Sequence, residues 1–206
     1  MAQKQANSAM RAALVEVRKA YRLLWLYQQT LMDAYNQIVQ HLNVKHYYGA
    51  LHPLQRSTNP APRPPAALLP LLYIETLYLH SPGDANAQKP DDYMVDICPI
   101  ADTGYLSTTN EYPTDTGAAS EASSELWVYV FHAREASSLN WYNPIYGRTD
   151  DDDDPDHNAA RILKAQPTIQ VYGYHFDVAT LTDQQAIALQ MADCTGQVWA
   201  GLGLQL

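Results

Sequence analysis

Leu126-Trp127-Val128-Tyr129-Val130-Phe131-His132-Ala133-Arg134 is apolar on both faces that a period-two backbone presents, with Trp127, Tyr129 and Phe131 on one and Leu126, Val128 and Val130 on the other. A strand that needs cover on both sides belongs inside a sheet, so this stretch reads as a central strand. Three further stretches are rich in the β-branched and aromatic residues that fit a pleated surface: Leu71 to His80, Tyr93 to Ile100 and Thr168 to Val178. Turn chemistry such as Ser81-Pro82-Gly83-Asp84 bounds them. In the Tyr93 to Ile100 stretch Asp96 interrupts one face and Pro99 lacks an N–H, which predicts an edge strand or a strand end.

Ahead of these strands the period changes. From Ser8 to Leu42, steps of four and three pick out Met10, Leu14, Val17, Tyr21, Leu24, Gln28, Leu31, Tyr35, Ile38 and Leu42, and nine of these ten are apolar or aromatic. No Pro or Gly falls between Met1 and Val44, so the spacing predicts one amphipathic helix roughly 50 Å long. Its seam widens in the second half, where Trp25, Tyr27, Met32, Ala34 and Val39 flank it. A narrow seam suits a two-stranded coiled coil, whereas a wide one suits burial among several elements. The expectation is a core helix whose first turns, with Arg11, Arg18, Lys19 and Arg22, reach solvent or a partner.

Residues 43–70 contain Gly49, Pro53, Pro60, Pro62, Pro64, Pro65 and Pro70, which prevent helix and read as an extended strap. Near the other end, Thr182-Asp183-Gln184-Gln185 resembles a capping box and predicts a short helix from Thr182 to about Gly196, followed by an apolar tail that forms a strand or packed extension. The long polar connections, Ser81 to Asp92, Ala101 to Ser124 and Glu135 to Gln166, are functional or conceal an element. The predicted fold is α+β: a long N-terminal amphipathic helix packed on a mainly antiparallel sheet, with a short C-terminal helix, in a single domain over residues 1–206 (helix 8–42, strap 43–70, body 71–206).

Composition narrows the function classes. The 206 residues are 47% hydrophobic and 17% charged, which excludes a disordered chain. The net charge of −9 conceals a division: residues 1–65 carry 8 Lys/Arg against 2 Asp/Glu, and the remainder carries 5 against 20. The basic third is too sparse, and the remainder too acidic, to favour nucleic acid; the simpler reading is complementarity between the two parts or between copies. The longest apolar run, Ala66 to Ile74, is interrupted by Pro70 and too short to cross a bilayer, and the N-terminus lacks a secretory pattern, so a cytoplasmic chain without membrane contact is expected. Cys98 and Cys194 have no zinc or redox spacing and read as reduced, buried thiols, with a disulfide left open.

The residues with chemically competent side chains form no motif. Asp150 to Asp156 places six carboxylates in seven positions, but a calcium loop started at Asp150, Asp151 or Asp152 lacks both its Gly and its terminal Glu, so the run reads as a solvated acidic loop. No helical His pair, nucleophile elbow or phosphate loop is present, and no cofactor is expected. His132 and His175 lie in strands, and on one sheet face beside Glu135 or Asp177 they would serve a metal-assisted hydrolase or nuclease, with Asp91, Asp92, Asp96 and Glu125 as candidate ligands. The supply of 15 Tyr and 4 Trp against 2 Phe favours half-wet rings, concentrated in Trp141-Tyr142-Asn143-Pro144-Ile145-Tyr146-Gly147. Trp141, Tyr142 and Tyr146 are the candidate binding residues. The leading expectation is a non-enzymatic interaction or assembly protein, self-associating through the N-terminal helix and binding a protein partner through the Tyr/Trp loops. The alternatives are the hydrolase and a small-ligand binding module.

Overall fold

The stretch around Trp127 becomes β4 (Glu125–Ala133) of a six-stranded sheet in a computed structural model that describes residues 2–52, 73–80, 87–103, 120–141, 158–163 and 166–204. Around it lie β1 (Lys45–His52), β2 (Tyr73–Leu79), β3 (Tyr93–Ile100), β5 (Ala159–Ile162) and β6 (Ile169–Asp177). Their order is β1-β2-β3-β4-β6-β5, and every pair is antiparallel. Helix α1 (Ala2–His41) precedes the sheet and α2 (Gln184–Leu202) follows it, giving the α+β arrangement. The chain divides into two units, Met1–Asn36 and Gln37–Leu206; the first is helical throughout its described part, and the second holds the end of α1, the sheet and α2.

The end of α1 follows from Asn43, which adopts the left-handed conformation at φ 48. Val44 N–H reaches the Val39 carbonyl and Asn43 N–H the Gln40 carbonyl, so the last helical carbonyls find donors as the chain turns into β1. Ile38 and Leu42 are buried in this unit, and the Tyr93 hydroxyl donates to the Leu42 carbonyl at 2.7 Å, tying the helix end to the first residue of β3.

Three departures from the sequence reading have local causes. Strand β3 lies inside the sheet with all eight residues buried, despite Asp96 and Pro99. Its pairing with β2 registers Ile97 with Thr76 and Ile100 with Tyr73 but skips Cys98 and Pro99, so the N–H that proline lacks falls in a gap of the ladder. Two strands lie where strap and loop are expected: β1 occupies 45–52 of the strap, and β5 pairs with β6 inside the connection 135–166. The proline-rich remainder, 53–72, lies outside the described residues.

Helix α2 begins two residues later than expected and ends later. Its N-cap is Asp183, whose carboxylate accepts from Ala186 N–H at 2.8 Å. The helix then continues through Gly196 to Leu202 and stops at Gly203, at φ 70. A mid-helix Gly costs about 1 kcal/mol. Burial of Val198, Trp199 and Leu202 beyond it outweighs that, at roughly 1.5–3 kcal/mol for each fully buried large side chain.

Strand periodicity gives the sheet two distinct faces. Gln170, Tyr172 and Tyr174 of β6 face α2: Gln170 donates to the Gly201 carbonyl, and the Tyr174 hydroxyl donates to Asp193 at 2.7 Å. Pairing carries this face across to Val128, Val130 and His132 of β4 and to Tyr93 and Val95 of β3. The opposite face carries Met94, Tyr129, Phe131 and Val171, which form a core with Trp141 and Leu163, against which Tyr47 and Trp127 pack. Tyr47 sits at a β-bulge where the register between β1 and β2 shifts.

Candidate functional site

The first 36 residues carry the most unusual surface. Among the described residues, ten of the exposed large apolar side chains lie on α1 between Met10 and Met32, and Met10, Tyr21, Leu23, Trp25 and Leu26 are each 58–66% exposed. The heptad seam that reads as continuous in sequence is thus divided: Met10, Leu14, Val17, Tyr21 and Leu24 are exposed, whereas Leu31, Tyr35, Ile38 and Leu42 are buried. Arg11, Arg18, Lys19 and Arg22 are exposed in the same stretch. The Lys19–Glu16 pair at 2.9 Å is solvent-exposed, where screening leaves such pairs little energetic weight.

In the second unit, His132 and His175 do not share a site. His132 pairs with Gln170 across β4 and β6, and His175 lies five residues beyond Gln170 on an unbroken strand. An odd separation places the two imidazoles on opposite faces of the sheet. His132 is buried, with Nε2 3.5 Å from the exposed carboxylate of Asp91. Burial lowers its pKa, the Asp91 carboxylate partly offsets this, and Arg134 adds a smaller lowering. The result is a neutral imidazole beside a distant charge, too long for a well-formed hydrogen bond.

The carboxylates offered for a nuclease are likewise scattered. Asp91 and Asp92 precede β3; Asp96 is buried on the face away from α2, where Cys98 donates to it at 3.4 Å. Glu125 begins β4 and accepts from Ser123 Oγ and Trp127 Nε1, both at 2.6 Å. Asp96 and Glu125 are four registers apart, about 13 Å along the strands. Among the described residues, no three or more His, Cys, Asp or Glu side chains converge as a metal site. The acidic run Asp150 to Asp156 lies outside them.

Sequence reasoning set Trp127 and Tyr129 on one strand face and Glu125 among the carboxylates, but did not join the three into a row, which lies on the face away from α2. Glu125 holds the indole N–H, and the two rings meet edge to face at 6.3 Å. The signal was available: three side chains at i, i+2 and i+4 of one strand share a face. Of the aromatic loop, Trp141 is fully buried in the core with Phe131 and Leu163, so its ring covers the sheet; Tyr142 and Tyr146 lie outside the described residues. Cys98 and Cys194 are both buried and form no disulfide. Cys98 is on the face away from α2 and Cys194 on α2 itself, so the sheet separates them, and burial pushes the Cys194 thiol far up, leaving it protonated and inert. No described helix is long and apolar enough to cross a membrane.

Comparison with known proteins finds similarity over nearly the whole chain. A relative from Pasteurella multocida (strain Pm70), described as uncharacterized protein PM0109, is 25% identical over 198 residues, covering 88% of this chain and 90% of its own length. No solved structure matches. The model of the PM0109 family matches residues 7–198, from the second turn of α1 almost to the end of α2. The chain therefore belongs to the PM0109 family.

Proposed function

We propose that the chain is a non-enzymatic cytoplasmic assembly protein that self-associates through the first part of α1 and engages a protein partner through the segment containing Tyr142 and Tyr146, with Trp141 as its buried anchor. The apolar surface of α1 carries the reading. At the observed exposures Met10, Leu14, Val17, Tyr21, Leu24 and Trp25, which share one face of the helix, present on the order of 600 Å², taking roughly 200 Å² for each when fully exposed. The largest apolar patch on a monomer is typically about 300–600 Å², and a standard interface buries about 800 Å² per partner. The family match begins at residue 7 and so includes this stretch, which is part of the shared architecture. Two buried thiols on opposite sides of the sheet, not joined as a disulfide, suit a reducing compartment.

Light scattering across a concentration series tests the reading. The wild-type chain should exceed monomer mass at micromolar concentration, and a Leu14→Glu/Leu24→Glu variant should be monomeric with the sheet's thermal transition retained. A wild-type chain that stays monomeric to high micromolar concentration refutes it. A small-ligand module remains a second reading, supported by the Glu125–Trp127–Tyr129 row, and ligand-linked stabilisation in a thermal-shift screen would reveal it.

A further inference from the structure

We infer that the second copy lies parallel to the first and in register along α1, an inference that rests on the proposed self-association and gives it a geometry. With Leu14, Tyr21 and Gln28 at the a positions of a heptad, Met10, Val17 and Leu24 occupy d. The flanking positions are then unlike each other: e holds Arg11, Arg18 and Trp25, and g holds Ala13, Ala20 and Tyr27. Arg11, Arg18, Trp25, Ala13 and Ala20 are all exposed. One flank of the seam is long, basic and wide, while the other is largely methyl.

Parallel and antiparallel pairs use these flanks differently. In a parallel pair each e residue meets the partner's g residue five positions earlier, so the Arg18 stem lies over the partner's Ala13 and the Trp25 ring against the partner's Ala20. Large meets small in each layer. In an antiparallel pair e meets e and g meets g; with the seam fully overlapped, Arg11 meets the partner's Trp25 and Ala13 the partner's Tyr27, but the central layer sets Arg18 against the partner's Arg18 and leaves Ala20 facing the partner's Ala20. Gln28 points the same way. In the parallel register it meets Gln28 of the partner subunit at an a layer, where one amide donates and the other accepts. Reversing one helix would set that amide against an apolar d residue and leave it unpaired. A helix lying on a lipid surface has its polar face rich in cations and only its apolar face buried; here the alanine flank offers the close approach that a second helix uses.

Disulfide trapping of the full-length chain distinguishes the outcomes. Leu14→Cys and Leu24→Cys are made separately in the native chain, oxidised mildly, and read on a non-reducing gel beside wild type, whose own cysteines are buried. Each variant alone is expected to couple to itself in most chains. Coupling only in a mixture of the two variants, with neither coupling to itself, overturns the parallel register. An absence of coupling while light scattering still reports two chains overturns the placement on α1. A chain that is monomeric at every concentration defeats the self-association reading itself.

Discussion

Tyr93→Phe removes one oxygen and keeps the ring, and its effect can be worked from the surroundings. The ring stacks on His80 at 4.3 Å and meets Trp199 edge to face at 5.0 Å, contacts that Phe retains. Lost is the 2.7 Å hydrogen bond to the Leu42 carbonyl, which follows the last turn of α1. A net hydrogen bond is worth about 0.5–1.5 kcal/mol, and a buried carbonyl left without a donor costs about 1–3. We expect a loss of about 1–2 kcal/mol near neutral pH, or a urea midpoint lower by roughly 0.5–1 M for an m-value of about 2 kcal/mol/M. The pH dependence gives a second readout. Burial pushes the Tyr93 pKa from 10.0 up to about 12. Between these values the unfolded chain has lost the phenolic proton and the native chain still holds it, so the contribution is complete below pH 10 and disappears as pH rises through 12. The stability that wild type loses across this window through ionisation totals about 3 kcal/mol, enough to cancel its advantage over the variant. Tyr174, also raised by burial and by its Asp193 acceptor, contributes equally to both proteins and cancels. The gap between wild type and Tyr93→Phe should therefore narrow from pH 9 upward in urea melts at fixed ionic strength. An unchanged midpoint at pH 8, or a gap independent of pH to 11, would refute the reasoning.

Two glycines of α2 should respond to alanine with opposite signs. A Cβ at Gly201 would meet the Tyr172 ring, so Gly201→Ala should destabilise by about 1–3 kcal/mol despite alanine's helix propensity. At Gly196 a Cβ meets nothing, and Gly196→Ala should stabilise by about 0.5–1 kcal/mol; thermal melts of the two variants check the contrast. His132 is held neutral by burial, its pKa below the ordinary 6.5. Its contribution is present above pH 6.5 and declines as pH falls from there through the lowered native value, because the unfolded chain takes up the proton first. A melt series from pH 7.5 to 5 should therefore be flatter for His132→Gln, and equal slopes would show that this imidazole does not drive the acid sensitivity.

Elements were legible in the sequence where local pattern and tertiary role agree. Trp127 to Phe131 alternates with Leu126 to Val130, and β4 is covered on both faces. Where one residue carried a strong local meaning, the inference followed it too far. Pro99 implied an edge, yet a single missing N–H needs only a local gap in the β2 ladder. Gly196 implied a helix end, yet the apolar residues after it repay the continuation through burial. Strand β5, only four residues long and close to the acidic run, gave too short a pattern to register. The opposition of His132 and His175 depends on the pairing register of β4 with β6, and the burial of Trp141 on contacts with residues distant in sequence. Neither can be read within a local window.

The divided seam of α1 contains the question that sequence periodicity leaves open, since a stripe covered by its own chain and one covered by another chain obey the same spacing. Thermodynamic linkage separates them. Contacts such as Tyr93 to Leu42 contribute within one chain, so weakening them lowers the melting temperature at every concentration. Contacts along Met10 to Leu24, if supplied by a second copy, stabilise only as association proceeds, and the melting temperature must rise with concentration. Leu14→Glu/Leu24→Glu should abolish that rise while leaving the dilute-limit value of the second unit unchanged; Tyr93→Phe should lower the dilute limit and preserve the rise. If both variants shifted the melting temperature equally at all concentrations, the exposed seam would contribute nothing between chains, and its apolar residues would lose the role assigned to them.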